Sequence, residues 1–447
     1  MGRKAVVGYL PNWTASASYI NAMPIEDMTH LIYFSVSVDA DGNLTPPNSN
    51  WPPSRQLLDK VSDAKVDFQI TVGPGKDVQG FLTAGETAWE NASDQLNQII
   101  MDHGFTGASL DFEGMDTSDE KTMDGFRDSI RYLIKHLPDN ASSSSIAVQG
   151  GGYKKMDLDQ LKGDVDMFFL MAYDFHWSSA PNTGAVAPLP PENVMATYNV
   201  GSLLQGVIDL VGAEKVVLGV PWYGYSWPCD NDQAGCKTTG RGSAWVIQKV
   251  VNNPPGEILW DDSVQSPWVA YLDEGEPRQL WFDDHRSLRI KYEYALAKGC
   301  QGIGFWALGY ERSLIGTPND PWLTVRSLFP GAEPVPLIQG GLAGLRVADL
   351  NRALDFYVDT LGLKLAQKEN DEAIIDAGGF RVCLHLSSSR VTPSQGEIGL
   401  YTPGDLERAV NLLKGRGVVF SGEIREEKGR RFAHFFDPDG NAVYLYH

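Results

Sequence analysis

Two carboxylates spaced two positions apart, Asp111 and Glu113, close the segment Gly107-Ala-Ser-Leu-Asp-Phe-Glu113. Side chains of an extended strand alternate in direction, so Ser109, Asp111 and Glu113 share one face and Leu110 and Phe112 the other. Crowding two acids at a strand end raises the pKa of one of them by repulsion and partial burial, which suits a general acid working near neutral or mildly acidic pH. Position alone fits a pair of solvated loop carboxylates as well. Other segments of the same kind end in aromatic residues: Gly8-Tyr-Leu-Pro-Asn-Trp13, Ile32-Tyr-Phe34, Phe168-Phe-Leu-Met-Ala-Tyr-Asp174, Gly219-Val-Pro-Trp-Tyr-Gly224 and Gly304-Phe-Trp306. Aromatic faces gathered around two acids point to a cleft for sugar rings, whose apolar faces stack on them. Phe34 and Tyr223 fit equally as core filling.

The elements that must position these residues are short runs of β-branched and aromatic residues alternating with stretches of helical period. The strand candidates are Ala5-Tyr9, Leu31-Val36, Phe68-Val72, Gly107-Glu113, Ser145-Gln149, Met167-Tyr173, Val216-Val220 and Gly302-Trp306. Such alternation predicts a parallel sheet with crossover helices. Eight units over about 330 residues predict an α/β fold, a (β/α)8 TIM barrel with chemistry at the C-terminal ends of its strands. The stretch from Tyr223 to Cys300 exceeds a usual connection and reads as an insertion between strands 7 and 8.

At 447 residues the chain is too long for one small core. Its net charge of -20, from 37 basic and 57 acidic residues, argues against nucleic acid and favours neutral or cationic partners. A run of about 18 apolar residues, as a membrane span requires, is absent from the sequence. The acidity is uneven: residues 336–447 carry a net -2 and the rest -18, and all 12 Trp lie between Trp13 and Trp322. Between the two regions runs Pro330-Gly-Ala-Glu-Pro-Val-Pro-Leu-Ile-Gln-Gly-Gly341, semi-extended by composition. The expected division is a barrel over 1–330, a linker over 331–341 and a small α+β domain over 342–447.

Four Cys are too few for a disulfide framework, and no Cys/His spacing suits zinc. Cys229 and Cys236 enclose a polar loop that one bridge could close, which would imply maturation in an oxidising compartment. The first residues pass almost directly into a strand, without a secretion signal. The expected location is extracellular or lysosome- or vacuole-like if a signal has been removed, and cytoplasmic otherwise.

Residues 342–447 hold an internal repeat. Asp349-Leu-Asn-Arg-Ala353 recurs as Asp405-Leu-Glu-Arg-Ala409, and each copy opens an amphipathic helix ending near Gly362 or Gly415. An Asp at each start can cap free N–H groups, a folding reason independent of function. With a short strand before each helix and several after, two βαβββ modules fit.

Taken together, these motifs make the first region resemble family 18 glycoside hydrolases, the chitinase family, from Gly8-Tyr9 to Trp306. The family's Asp-x-x-Asp-x-Asp-x-Glu stands here as Thr106-Gly-Ala-Ser109-Leu-Asp111-Phe-Glu113, with its last two acids kept and its first two replaced. Met-x-Tyr-Asp matches Met171-Ala-Tyr173-Asp174, Gly-x-Pro-x-Tyr-Gly matches Gly219 to Gly224, and Trp306 matches the eighth-strand Trp. The third-strand Ser-x-Gly-Gly appears only as Thr71-Val-Gly-Pro74. Trp222-Tyr-Gly-Tyr-Ser-Trp-Pro-Cys229 and Trp281-Phe-Asp-Asp284 resemble the di-N-acetylchitobiase branch.

The resemblance implies a retaining hydrolase of β-1,4-linked N-acetylglucosamine chains, acting on short oligosaccharides without a cofactor. In substrate-assisted catalysis the substrate's 2-acetamido carbonyl replaces an enzyme nucleophile, so one acid suffices. Glu113 would be the general acid/base, Asp111 would orient the acetamido N–H, Tyr173 would donate to its carbonyl, Asp174 would hold the distorted sugar, and Trp306 would form its floor. Tyr9, Trp13, Phe34, Met171, Trp222 and Tyr223 would complete the substrate site. Ser109 in place of an acid leaves Asp111 one carboxylate neighbour fewer, which would alter rate and pH optimum rather than abolish activity. The alternative is a glycan-binding protein without turnover.

The second region, with Ala353-Leu-Asp-Phe-Tyr-Val-Asp-Thr-Leu-Gly-Leu363 and Phe436-Asp-Pro-Asp-Gly-Asn-Ala-Val-Tyr444, resembles the vicinal oxygen chelate superfamily of glyoxalases and bleomycin-resistance proteins. Active members bind a divalent metal at positions corresponding to Leu342, His385, Glu397 and Tyr444. Leu and Tyr are poor ligands for such an ion, so the expectation is a metal-free domain, with His385 as a strand residue and Cys383 as a buried thiol. It would serve ligand binding, docking on the barrel or dimerisation. A metal-dependent lyase or dioxygenase in this domain is the remaining alternative.

Overall fold

The computed structural model describes residues 3–73, 75, 77–191, 198–329, 341–377, 380–387, 397–402, 405–427 and 430–446. The chain divides into two compact units, Met1–Ile315 with Pro321–Gly331, and Ala332–His447 with Gly316–Asp320. In the first, eight parallel strands close on themselves: β1 (Ala5–Pro11), β2 (His30–Val38), β3 (Asp67–Gly73), β4 (Gly107–Leu110), β5 (Ser143–Gln149), β6 (Met167–Met171), β7 (Val216–Pro221) and β8 (Gly302–Trp306). Each pairs with the next, and β8 returns to β1 with Ala5 opposite Gly302. This is the (β/α)8 barrel that the alternating pattern predicts.

Two of the strands are shorter than expected. β4 ends at Leu110 and β6 at Met171, so Asp111, Glu113, Tyr173 and Asp174 stand just beyond the strands, where the chain leaves the barrel. Asp111 N–H still donates to Val72 O on β3 at 2.9 Å, which carries the extended course one residue further. Leu110 and Phe112 remain buried on the outer face, and the Phe112 ring meets that of Phe81 at 5.7 Å. The helix after β4, Glu120–Lys135, buries Met123, Phe126, Ile130 and Leu133, an i, i+3, i+7, i+10 stripe. Asp119 caps it by accepting from Thr122 N at 3.0 Å, a contact worth about 1 kcal/mol.

The barrel interior has two halves. Val7, Tyr9, Ile32, Met167, Phe169 and Val217 make an apolar cluster, while Gln69, Thr71, Ser109 and Ser145 line the side of β3, β4 and β5. Gln69 ties that polar side together, donating to Ser143 Oγ at 2.9 Å and accepting from Ser145 Oγ at 2.5 Å. Phe169 fills the middle because β7 and β8 carry glycine beside it. A Cβ on Gly219 or Gly304 would lie 2.5 or 2.4 Å from its ring.

The insertion between β7 and β8 folds as a five-stranded antiparallel sheet in the order Ser243–Val246, Tyr223–Pro228, Glu276–Trp281, Ser266–Asp273, Leu259–Asp261. Trp227, Trp268 and Trp281 are buried in it, the last two stacked at 5.4 Å. Cys229 and Cys236 are both buried there as free thiols, and they hydrogen-bond one another. Each sulfur has a further polar neighbour: Cys229 Sγ donates to Asn231 O at 3.0 Å, and Cys236 Sγ lies 3.5 Å from Thr183 Oγ1.

The second unit contains two βαβββ modules. The first has strands β9 (Gly341–Val347), β10 (Lys364–Lys368), β11 (Glu372–Asp376) and β12 (Phe380–Leu386), in sheet order β9-β12-β11-β10. The second has β13 (Glu397–Tyr401), β14 (Arg425–Glu427), β15 (Arg430–Phe436) and β16 (Ala442–Tyr446), in the matching order β13-β16-β15-β14. Both repeated aspartates cap as expected, Asp349 accepting from Asn351 N at 2.9 Å and Asp405 from Glu407 N at 2.9 Å. Cys383 departs from expectation: it is half-buried, since its side chain stands on the face of β12 opposite Val382 and Leu384, which are fully buried.

Candidate active site

At the C-terminal end of the barrel a cavity of about 350 Å³ is lined by Asp111 and Glu113 after β4, by Met171, Tyr173 and Asp174 at the end of β6, and by Tyr9, Phe34, Tyr223 and Trp306 from β1, β2 and the ends of β7 and β8. Thus six strand ends distant in sequence bring their side chains to one place. The pocket also takes in Ala147, Phe169, Tyr225, Ala244, Val246 and Tyr310. Tyr225, Ala244 and Val246 belong to the inserted sheet, which walls one side.

Asp111 is 4 % exposed and hydrogen-bonds Glu113 through its carboxyl group. Burial raises its pKa well above the usual carboxylate range, and the charge and hydrogen bond of Glu113 add to the effect. Burial raises Glu113 too, opposed by hydrogen bonds from Gln149 and Asp111. The pair therefore shares a proton that rests on Asp111, because two neighbouring carboxylates out of water cannot both ionise cheaply. Asp111 Oδ1 is buried and has no hydrogen-bond partner among the described residues. Under it, the Tyr9 hydroxyl lies 3.0 Å from Ser109 Oγ, so hydroxyls occupy the place where a further acid would stand.

The remaining polar groups are held from the sides. Tyr223 donates to Asp174 Oδ1 at 2.5 Å, and Asp174 takes a left-handed backbone, φ 59°, that turns the chain after β6. Burial, with Asp111 and Glu113 nearby, pushes the Tyr173 hydroxyl well up, so it stays a hydrogen-bond donor across the physiological range. The Trp306 ring meets Phe34 edge-on at 4.8 Å and Tyr9 at 5.9 Å, and its indole N–H donates to the Tyr310 hydroxyl. These contacts leave it one orientation.

Two expected substrate residues are placed differently. Trp222 is fully buried, stacked 3.9 Å from Phe305 and edge-on to Trp322, with its N–H directed to Tyr292. It is a core residue, because alternation after β7 turns it outward to the helices while Tyr223 turns to the pocket. Trp13 is outside the cavity lining and 53 % exposed, packed edge-on against Phe34 and Trp306. Gln149, Tyr225, Tyr310, Ala244 and Val246 escaped the sequence reading. Tyr225 lies inside the quoted Trp222–Cys229 motif, whereas Ala244 and Val246 carry no chemical signal at all.

In the second unit, His385 is exposed with Nδ1 3.1 Å from Glu372 Oε2, and Tyr444 rests on the His434 ring at 5.3 Å. The side chains of Leu342 and Glu397 fall outside the described residues. Among the described residues, no three His, Cys, Asp or Glu side chains are grouped closely enough to hold a metal ion.

This barrel with its acid pair defines a class, and comparison gives the family. The chain belongs to glycosyl hydrolases family 18, matched over residues 5–311. Residues 341–445 match the Glyoxalase/Bleomycin resistance protein/Dioxygenase superfamily. Among similar proteins, the cortical fragment-lytic enzyme of Bacillus cereus is 24% identical over 63% of this chain and 65% of its own length. Class V chitinase CHIT5 of Lotus japonicus is 23% identical over 68% and 82%, and di-N-acetylchitobiase of Rattus norvegicus 30% over 32% and 42%. The chain spans 55% to 65% of the length of four Bacillus relatives that it matches. In fold it resembles the Ostrinia furnacalis Group IV chitinase, with TM-score 0.65 and 20% identity over 73% of this chain and 99% of that one. The Cycas revoluta GH18 chitinase in complex with (GlcNAc)3 gives 0.61 and 21% over 72% and 99%.

Proposed function

We propose that the barrel is a retaining glycosidase that hydrolyses β-1,4-linked N-acetylglucosamine in short oligosaccharides. The observation that carries this reading is the buried, partnerless Asp111 Oδ1 beside Glu113. A buried acceptor without a donor is costly, and the acetamido N–H of an N-acetylated sugar is the donor that relieves it. That N–H favours the ionised form of Asp111, so the shared proton passes to Glu113, which then protonates the glycosidic oxygen. The acetamido carbonyl attacks the anomeric carbon to give an oxazolinium, with Tyr173 donating to the carbonyl oxygen and Trp306 under the ring. Glu113 next takes a proton from water as the water opens that ring, restoring the original anomeric configuration. Asp174, already engaged by Tyr223, acts by holding the sugar rather than as a nucleophile.

Pocket chemistry narrows the substrate. Among the described residues its lining holds three carboxylates and no Lys, Arg or His. A sugar bearing its own carboxylate, such as N-acetylmuramate, would be repelled from the reacting position, and neutral N-acetylglucosamine admitted. The cavity volume lies at the small end of ligand sites, in keeping with oligosaccharides rather than crystalline polymer. Relatives named as chitinases, a chitobiase and cortical fragment-lytic enzymes support the same chemistry. Release of chromophore from an aryl N,N'-diacetylchitobioside is the test. Wild type is expected to release it and Glu113→Gln to fail; equal release by both would overturn the role of Glu113.

A further inference from the structure

Glu113 has a second neighbour that family motifs do not include. Gln149 is the last residue of β5, paired in register with Met171 of the pocket wall, and its Nε2 donates to Glu113 Oε2 at 3.3 Å. An amide can present either N–H or C=O, but only N–H is attractive to a carboxylate. Glu113 thus has two side-chain hydrogen-bond partners, Asp111 and Gln149. Resting on the glycosidase reading, we propose that Gln149 is a positioning residue for the acid/base, holding Glu113 in one orientation and in its ionised form between proton transfers.

The groups facing Glu113 make that role specific. Asp111 follows β4, Tyr9 stands on β1, and Tyr173 and Asp174 follow β6; they are carboxyl groups, Asp111 with the shared proton, or hydroxyls kept neutral, and none is a cation. With no cation among the described lining residues, the hydrogen bonds from the Gln149 amide and from Asp111 are what oppose burial at Glu113. The sign follows from the shared proton. A donor to ionised Glu113 favours both the singly protonated and the fully ionised pair over the doubly protonated one. Removing it lets the second proton bind at higher pH, so the acid limb of kcat/KM moves up. The basic limb, which reports loss of the proton resting on Asp111, moves less.

The test compares wild type with Gln149→Met, which keeps length but lacks the donor, and with Gln149→Glu, which adds a like charge. Two readouts are taken on the full chain: pH profiles of chitobioside hydrolysis, and a carboxyl-carbon NMR titration of Glu113 assigned with Glu113→Gln. In Gln149→Met the acid limb and the Glu113 titration are expected to move to higher pH together, with kcat falling several-fold, far less than the roughly 10²–10⁴-fold of losing the acid itself. Gln149→Glu should move the titration further, and it decides the matter if the Met variant does not fold. A Glu113 titration unchanged in the folded variants overturns the proposal, as does a uniform loss of rate with both limbs in place. Absence of hydrolysis by wild type would sink the glycosidase reading while the NMR titration still decides Gln149.

Discussion

Asp111 in the barrel and Asp437 in the C-terminal unit are buried alike, 4 % and 5 % exposed, and treated in opposite ways. Asp437 accepts from Tyr357 Oη and Asn441 Nδ2 at 2.8 Å each, and from the backbone N–H of Asp439 and Asn441 at 3.0 and 2.8 Å. Four donors spend its full capacity, three within the Phe436–Asn441 loop and one from Tyr357. Asp111 has an acid for a neighbour and one oxygen without a partner. The lesson is that a buried carboxylate becomes chemically available where the fold withholds donors from it, and becomes a structural clamp where the fold supplies them.

The first way to break this comparison is catalytic. Glu113→Gln should cost roughly 10²–10⁴ in kcat on an aryl chitobioside, whereas His385→Ala in the C-terminal unit should leave the rate unchanged. A comparable loss from His385→Ala would move chemistry out of the barrel. The second contrasts two tryptophans that look alike in sequence. Trp222→Ala should destabilise the barrel by about 3–5 kcal/mol through a core cavity, measured by denaturant unfolding. Trp13→Ala at the exposed rim should raise KM a few-fold with kcat and stability nearly intact.

A third test addresses the clamp. Asp437→Ala leaves the Tyr357 hydroxyl and Asn441 amide without that acceptor and should destabilise the C-terminal unit by about 2–3 kcal/mol, with chitobioside hydrolysis unaffected. Limited proteolysis would place the opening beyond residue 341. The smallest expected effect concerns Glu311, fully buried, which burial pushes up to about 7 despite hydrogen bonds from Tyr19, Trp322 and Gly309 N–H. A carboxyl raised in the folded state stabilises below its unfolded value near 4.5, and that contribution is lost as pH rises through about 7. Glu311→Gln should flatten the dependence of melting temperature on pH across that window; an unaltered slope would show that Glu311 does not titrate there.

Much of the barrel was legible because its strands are short apolar runs at regular spacing and its helices carry clear stripes. The eight strand positions, the insertion after the seventh and the duplicated modules all follow from such local periodicity. Asp111, Glu113, Tyr173 and Asp174 were legible from motif and alternation together. Trp222 was not, since composition cannot tell whether an aromatic at a strand end faces the pocket or the helices. Gln149 was invisible for another reason: a lone glutamine at a strand end carries no signal until its partner across the barrel is known.

The amino-acid order by itself determined the repeating elements, the residues that stand at their ends and the division of charge between the two regions, because these depend on neighbours within a few positions. Tertiary structure alone decided that Asp111 would keep an oxygen without a donor, that Gln149 would reach Glu113, and that Ala244 and Val246 of the insertion would wall the pocket. Those outcomes depend on which groups the closed barrel brings together from distant parts of the chain, and on the desolvation that only burial among them can produce.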